Sequence, residues 1–355
     1  MLFRSSVDAR QSSRRSISEN QTLQELLKIA GELEGKTKEL RARKSSLLGR
    51  LNSPEKLAKE ERLSAFDEVY QLDSILARSE TFASQLAQVS DVQSTKNIGS
   101  LTPIPKEKLN GLVAQSKILC RLLQAEDALD SKDVILTISL VESVGNRLGI
   151  VEKVARMYQA FLERMGYKLQ CVDDQHGDKP IIDRICFLVS GPGAWTALQQ
   201  EQGLHVFRKG NDENKQRETA SVDLVSLDAE AGEAFAKECS FRTQRTKGSM
   251  RLSGKSRVKF ELAHRGTNTA LSVAFDSSPN EARVLLLPWL ETLARNQSNL
   301  ERDNSADDQT MKETVVRRYD LGPSGLVRDT ASGQRSGHVD KVLAGELERC
   351  IPWMQ

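Results

Sequence analysis

Val134-Ile135-Leu136-Thr137-Ile138-Ser139-Leu140 marks the point where the chain changes period. Before it, apolar residues recur at helical spacing. Here a run of β-branched residues predicts a strand. Val151 to Gly166 then returns to helical spacing, and Tyr167 to Val172 and Asp183 to Val189 read as further strands. Strand, helix, strand, strand is the order of an α+β unit rather than of alternating βαβ crossovers.

Upstream, Leu23, Leu26, Leu27, Ile29, Leu33, Leu40, Leu47, Leu48 and Leu51 recur among dense Lys, Arg and Glu, predicting antiparallel amphipathic helices. Asn52-Ser53-Pro54 interrupts them as a hairpin turn, with Pro54 at a helix start. The connector Ser94 to Pro105 precedes a helix predicted over Lys106 to Asp127. Downstream, Phe235 to Phe275 is β-rich, Ala282 to Asn296 is helical, and Asn299 to Gln309 is polar, acidic and expected to be mobile. A tail from Arg317 to Trp353 carries a turn at Gly322 and a helix expected from His338 to Glu348. The divisions are 1–20, 21–128 helical, 130–232 α/β, 235–298 β-rich, a linker at 299–310, and a C-terminal segment at 311–355.

Composition narrows the function classes. With 355 residues, 38% hydrophobic and 28% charged, the chain suits two or three globular domains. No apolar run approaches the roughly 20 residues that span a bilayer, so no membrane role is expected. The net charge of +2 is too small for a general polyanion binder, and any nucleic-acid surface must be local. Cys120, Cys171, Cys186, Cys239 and Cys350 form no CxxC pair, and the four histidines lie far apart, so neither metal site, cofactor nor disulfide framework is expected. The amino terminus, with Arg4, Arg10, Arg14 and Arg15 among serines, reads as an organellar transit peptide or a disordered end. Mitochondrion or chloroplast is the expected location, with bacterial cytoplasm as the alternative.

Three blocks resemble one family. Asp133 to Lys168 carries Arg156-Met157-Tyr158 and then Gly166-Tyr167. Gly191 to His205 reads GPGAWTALQQEQGLH. The tail carries Arg317-Arg318-Tyr319, then Val327-Arg328-Asp329, then Val342-Leu343-Ala344-Gly345-Glu346-Leu347. In this order and spacing they are similar to the bacterial-type class I peptide chain release factors, and the tail is nearer the branch that reads UGA and UAA. The resemblance implies a helical first domain, a codon-reading domain with the tail folded onto it, and a protruding catalytic domain.

The family's Gly-Gly-Gln tripeptide lets the backbone approach RNA closely and orients the water that attacks the peptidyl-tRNA ester. Within Phe241 to Lys259 the corresponding positions here are Lys247, Gly248 and Ser249. Lysine adds a side chain where the backbone must turn, and serine is too short to place the water. Hydrolysis is therefore expected to be lost. The codon-selecting tripeptide is also absent from Val206 to Glu218, and the family's glycine-rich turn is reduced to Val141-Glu142-Ser143-Val144-Gly145.

What remains is charge. Arg242, Arg245, Lys247, Arg251, Lys255, Arg257 and Lys259 put seven cations in 19 residues without an acid, which favours phosphate contact. Arg208, Lys209, Lys215 and Arg217 add cations around the altered loop. His205 reads as a buried, hydrogen-bonded group. The apolar stripe Val284 to Leu290 reads as core or protein contact. The expectation is a non-hydrolysing factor binding the ribosome or messenger RNA, stabilising transcripts or regulating translation. The alternatives are a working release factor and a protein-interaction factor acting through the helical domain.

Overall fold

The computed structural model describes the backbone outside residues 1, 54–57, 95–105, 125–132, 177–180, 211–215, 228–230, 250–255, 304–313, 323 and 351–355. The chain divides into two compact units, Met1–Asp130 with Ile351–Gln355, and Ser131–Cys350.

The first unit is helical, with α1 over Leu2–Leu51, α2 over Lys59–Ser94 and α3 over Lys106–Gln124. Leu23, Leu26 and Leu33 of α1 meet Phe82, Leu86 and Val89 of α2 and Leu109, Leu112 and Leu119 of α3. Beyond that core a second, smaller cluster of Leu47, Ala65 and Leu72 joins the hairpin, braced by Arg41–Glu80 at 2.8 Å and Arg43–Glu68 at 2.5 Å. The backbone of α1 is helical from Leu2. The expected break falls between α1 and α2, though Pro54 itself lies outside the described residues. No helix among the described residues is long and apolar enough to cross a membrane.

The second unit is built on an eight-stranded sheet and a three-stranded one, the α+β class expected. The large sheet contains β1 Val134–Val144, β2 Lys168–His176, β3 Ile182–Ser190, β4 Gly203–Lys209, β5 Gln216–Ser226, β9 Val315–Asp320, β10 Leu326–Asp329 and β11 Arg335–Ser336, in the order β11-β10-β9-β4-β5-β1-β3-β2. Helix α4, Ile150–Arg164, follows β1, and the short α5, Ala194–Leu198, precedes β4. After α6, Glu233–Glu238, the small sheet β6-β7-β8 runs over Cys239–Ser249, Ser256–His264 and Thr269–Phe275, followed by α7, Pro279–Asp303. The strand period sorts β1 cleanly. Val134, Leu136 and Ile138 are fully buried on one face, while Ile135 on the other joins the core of the small sheet.

Two glycines show how the tail is seated. Gly203 has φ +135°, and a Cβ there would lie 2.5 Å from the carbonyl oxygen of Thr314, so only glycine lets β9 come alongside β4. The pairing is parallel, with Leu204 N–H donating to Thr314 O at 2.9 Å. Gly345 has φ +100° and sits against Ala160 and the backbone of Phe161 in α4. It also ends the tail helix early. The expected helix from His338 to Glu348 is instead α8, Val339–Leu343, with a separate 3₁₀ turn at Leu347–Arg349.

The β-rich region does not protrude as the resemblance implied. Phe260, Val273 and Phe275 of the small sheet and Leu286, Trp289 and Leu290 of α7 share one core with Ile135, Val172 and Cys186 of the large sheet. The apolar stripe of α7 is the reason, because burying it requires an apolar surface that β1, β2 and β3 supply. The expected linker is likewise partly helical, since α7 continues to Asp303.

Candidate nucleic-acid interface

The hairpin of β6 and β7 carries the basic stretch. Arg245 lies opposite Val258 and Ser249 opposite Ser256, so residues 246–248 face Arg257 alone in a bulge. Lys247, Gly248 and Ser249 therefore belong to a paired strand end. Arg251 and Lys255 lie outside the described residues, as do the side chains of Lys247 and Ser249.

Of the remaining cations, Arg242 and Arg245 are exposed. Arg257 is not available as expected: it donates to Asp174 Oδ1 at 2.5 Å and to Asp174 O at 3.0 Å, and the Asp174 carboxylate is fully buried. A buried carboxylate needs its counter-charge, so this arginine fastens β7 to β2. Lys259 is 2.6 Å from Glu261, and Arg242 lies opposite the same glutamate. The two cations hold the Glu261 carboxyl below its ordinary range, with the Lys259 hydrogen bond leading. The stretch is acid-free in sequence but faces acids in the fold.

The β4–β5 hairpin shows the same closing of accounts. Arg208 and Arg217 are exposed and opposite one another, and Arg217 is 3.7 Å from Glu142. Lys209 lines a groove of about 380 Å³ with Lys153, Asp320, Asp340 and the turns at Gly322, Gly325 and Gly337. Lys215 lies outside the described residues. The residue that sequence reading missed is Glu218. Fully buried, it accepts from Arg147 Nε at 2.9 Å, Ser143 Oγ at 3.0 Å and Ile150 N–H at 3.2 Å. Arg147 reaches Asp183 at 2.5 Å as well. The N-terminus of α4 points free N–H groups and positive dipole outward, an anion site by construction. Here the protein's own carboxylate fills it. Nothing local in the sequence signals this, because Glu218 stands 68 residues from Ile150.

Behind the hairpin lies a wholly buried polar seam. Arg317 of β9 forks onto Glu201 at 2.7 and 2.8 Å, and Tyr158 OH of α4 donates to the same carboxylate at 2.7 Å. His205 lies 3.2 Å from Tyr319 OH through Nδ1 and 3.2 Å from Glu201 O through Nε2. Burial and the charge of Arg317 push His205 down to about 4, so the imidazole is neutral near pH 7. Burial acts to raise the Glu201 pKa, but Arg317 overrides it and keeps the carboxyl below its ordinary range. His205 is thus the buried, hydrogen-bonded group its sequence context suggested, and the seam is scaffold. The thiols are not activated either: burial raises Cys171 to about 12 and Cys350 to about 11, and it raises Cys120, Cys186 and Cys239 too.

Residues 4–225 match the PCRF domain. The chain belongs to the class I peptide chain release factor family. It is 25% identical over 243 residues to peptide chain release factor 2 of Campylobacter fetus subsp. fetus, covering 65% of each chain. It is 24% identical over 259 residues to peptide chain release factor 2 of Sulfurovum sp., covering 69% of each. The chain thus spans about two thirds of the length of these bacterial relatives. Release factor 2 of Thermus thermophilus matches in fold, with a TM-score of 0.53 at 20% identity over 92% of this chain and 97% of that one. The family match ends before β6, so the hairpin with Lys247-Gly248-Ser249 lies beyond it.

Proposed function

We propose that this family member binds the ribosome or RNA without hydrolysing peptidyl-tRNA. The observation that carries this reading is Lys247-Gly248-Ser249 standing where the family has Gly-Gly-Gln, at a strand end paired to Ser256. Without the first glycine and the glutamine amide, this hairpin lacks the group that orients the attacking water. The arginine- and serine-rich amino terminus supports an organellar setting.

Release of labelled peptide from stop-programmed ribosomes tests the proposal. No release above background is expected over the range in which an intact release factor completes the reaction. Release at a rate approaching that of such a factor overturns it.

A second reading, a protein partner on the helical unit, is favoured by Leu63, Phe66 and Tyr70, which lie exposed at helical spacing on α2. Deleting α2 and α3 while leaving RNA crosslinking intact, but losing function, would favour it.

A further inference from the structure

The outer face of the three C-terminal strands carries a row of arginines that the tail motifs do not explain. In register, Arg318 of β9 lies opposite Arg328 of β10, and Arg328 lies opposite Arg335 of β11. Directly opposed residues of antiparallel strands point to the same face. All three are exposed, and no ion pair with a described residue neutralises any of them. The neighbouring row adds Arg208 and Arg217 with a single acid, Asp320, and Arg217 is already paired with Glu142. Like charges directly opposite one another destabilise a sheet, so a triple repeat across adjacent strands is a cost without a local return.

An anionic ligand supplies the return, and we propose that this face is a binding strip for an RNA phosphate backbone. Strands are about 4.8 Å apart, which puts three guanidinium stems within about 10 Å. A polymer with a charge on every residue can meet all three at once, whereas a lone carboxylate can meet only one. Guanidinium forks match phosphate oxygens in pairs. An acidic protein is the poorer fit, because stable protein interfaces are centred on apolar or aromatic anchors. None of the exposed large hydrophobic side chains lies on β9, β10 or β11. The proposal rests on the reading that the chain binds RNA and assigns that binding a second surface, separate from the β6–β7 hairpin.

The test is binding of a labelled oligouridylate to the full chain across a salt series, comparing wild type with R318A/R328A/R335A. Losing three phosphate contacts should weaken binding on the order of 100-fold at about 0.1 M salt and flatten the slope of log K against log salt by about 2. R328E is the companion variant. It places a carboxylate between Arg318 and Arg335, which favours the fold through opposite-charge pairs while weakening RNA binding. Wild-type binding with an unchanged slope in both variants overturns this proposal and leaves RNA binding to the hairpin. Displacement of the RNA by polyglutamate at equal charge concentration overturns the choice of RNA over an acidic polypeptide. Failure of wild type to bind any RNA at low salt overturns this proposal and the RNA-binding reading together.

Discussion

The seam between α4, β4 and the tail contrasts with the β6–β7 hairpin. At the seam, Glu201, Arg317, Tyr158, His205 and Tyr319 are all buried and hydrogen-bond to one another, so removing the Arg317–Glu201 fork leaves a buried charge stranded. At the hairpin, β6 ends with Lys247-Gly248-Ser249, while Phe260, Phe275 and Trp289 belong to the shared core. The seam residues Tyr158, Glu201, His205, Arg317 and Tyr319 all lie within the three blocks that resemble the family.

The contrast predicts very unequal sensitivities. Arg317→Ala should be the most damaging, since it leaves Glu201 as an unpaired buried charge, at a cost of about 3–5 kcal/mol. Urea denaturation measures it, and a loss below about 1 kcal/mol would show the seam to be dispensable.

Acid should attack the same seam somewhat less severely. Unfolded, His205 takes up a proton near pH 6.5, but in the fold it does so only near pH 4. As pH falls through that window the unfolded state binds the proton first, so stability present above pH 6.5 is lost by pH 4, on the order of 3 kcal/mol. Glu201, also held below its ordinary value, adds to the loss at still lower pH. Unfolding midpoints of wild type and His205→Asn between pH 7 and 4.5 check this. The difference between the two proteins should shrink as pH falls, and parallel curves would break the assignment.

The smallest effect is expected at the hairpin. The double substitution K247G/S249Q should change stability by less than about 1 kcal/mol, since it removes no large apolar side chain. Thermal unfolding reads it, and a shift as large as that of Arg317→Ala would erase the contrast between the two regions.

Much of the scaffold was legible in the sequence because it is locally encoded. The change of period at Val134 coincides with the start of β1, and the run from Val151 anticipates α4 to within a few residues. The tail helix was not legible, because the residue that interrupts it, Gly345, is fixed by its close approach to Ala160 in a distant helix. At the candidate interface, Arg208, Arg217, Arg242 and Arg245 are exposed. Arg257 was misjudged, because its partner Asp174 lies 83 residues away and outside any window of local charge. Glu218 was missed for the same reason.

The sequence by itself determined the family and the order of helices and strands, both of which depend on residue identity and short-range spacing. Only the tertiary structure decided which charges are free. Arg317 and Arg318 are neighbours in the chain, yet the strand's twofold alternation sends one into a buried pair with Glu201 and the other onto an open face beside Arg328. Electrostatic partners are set by distance through space, and a β-sheet brings together residues that the sequence keeps far apart.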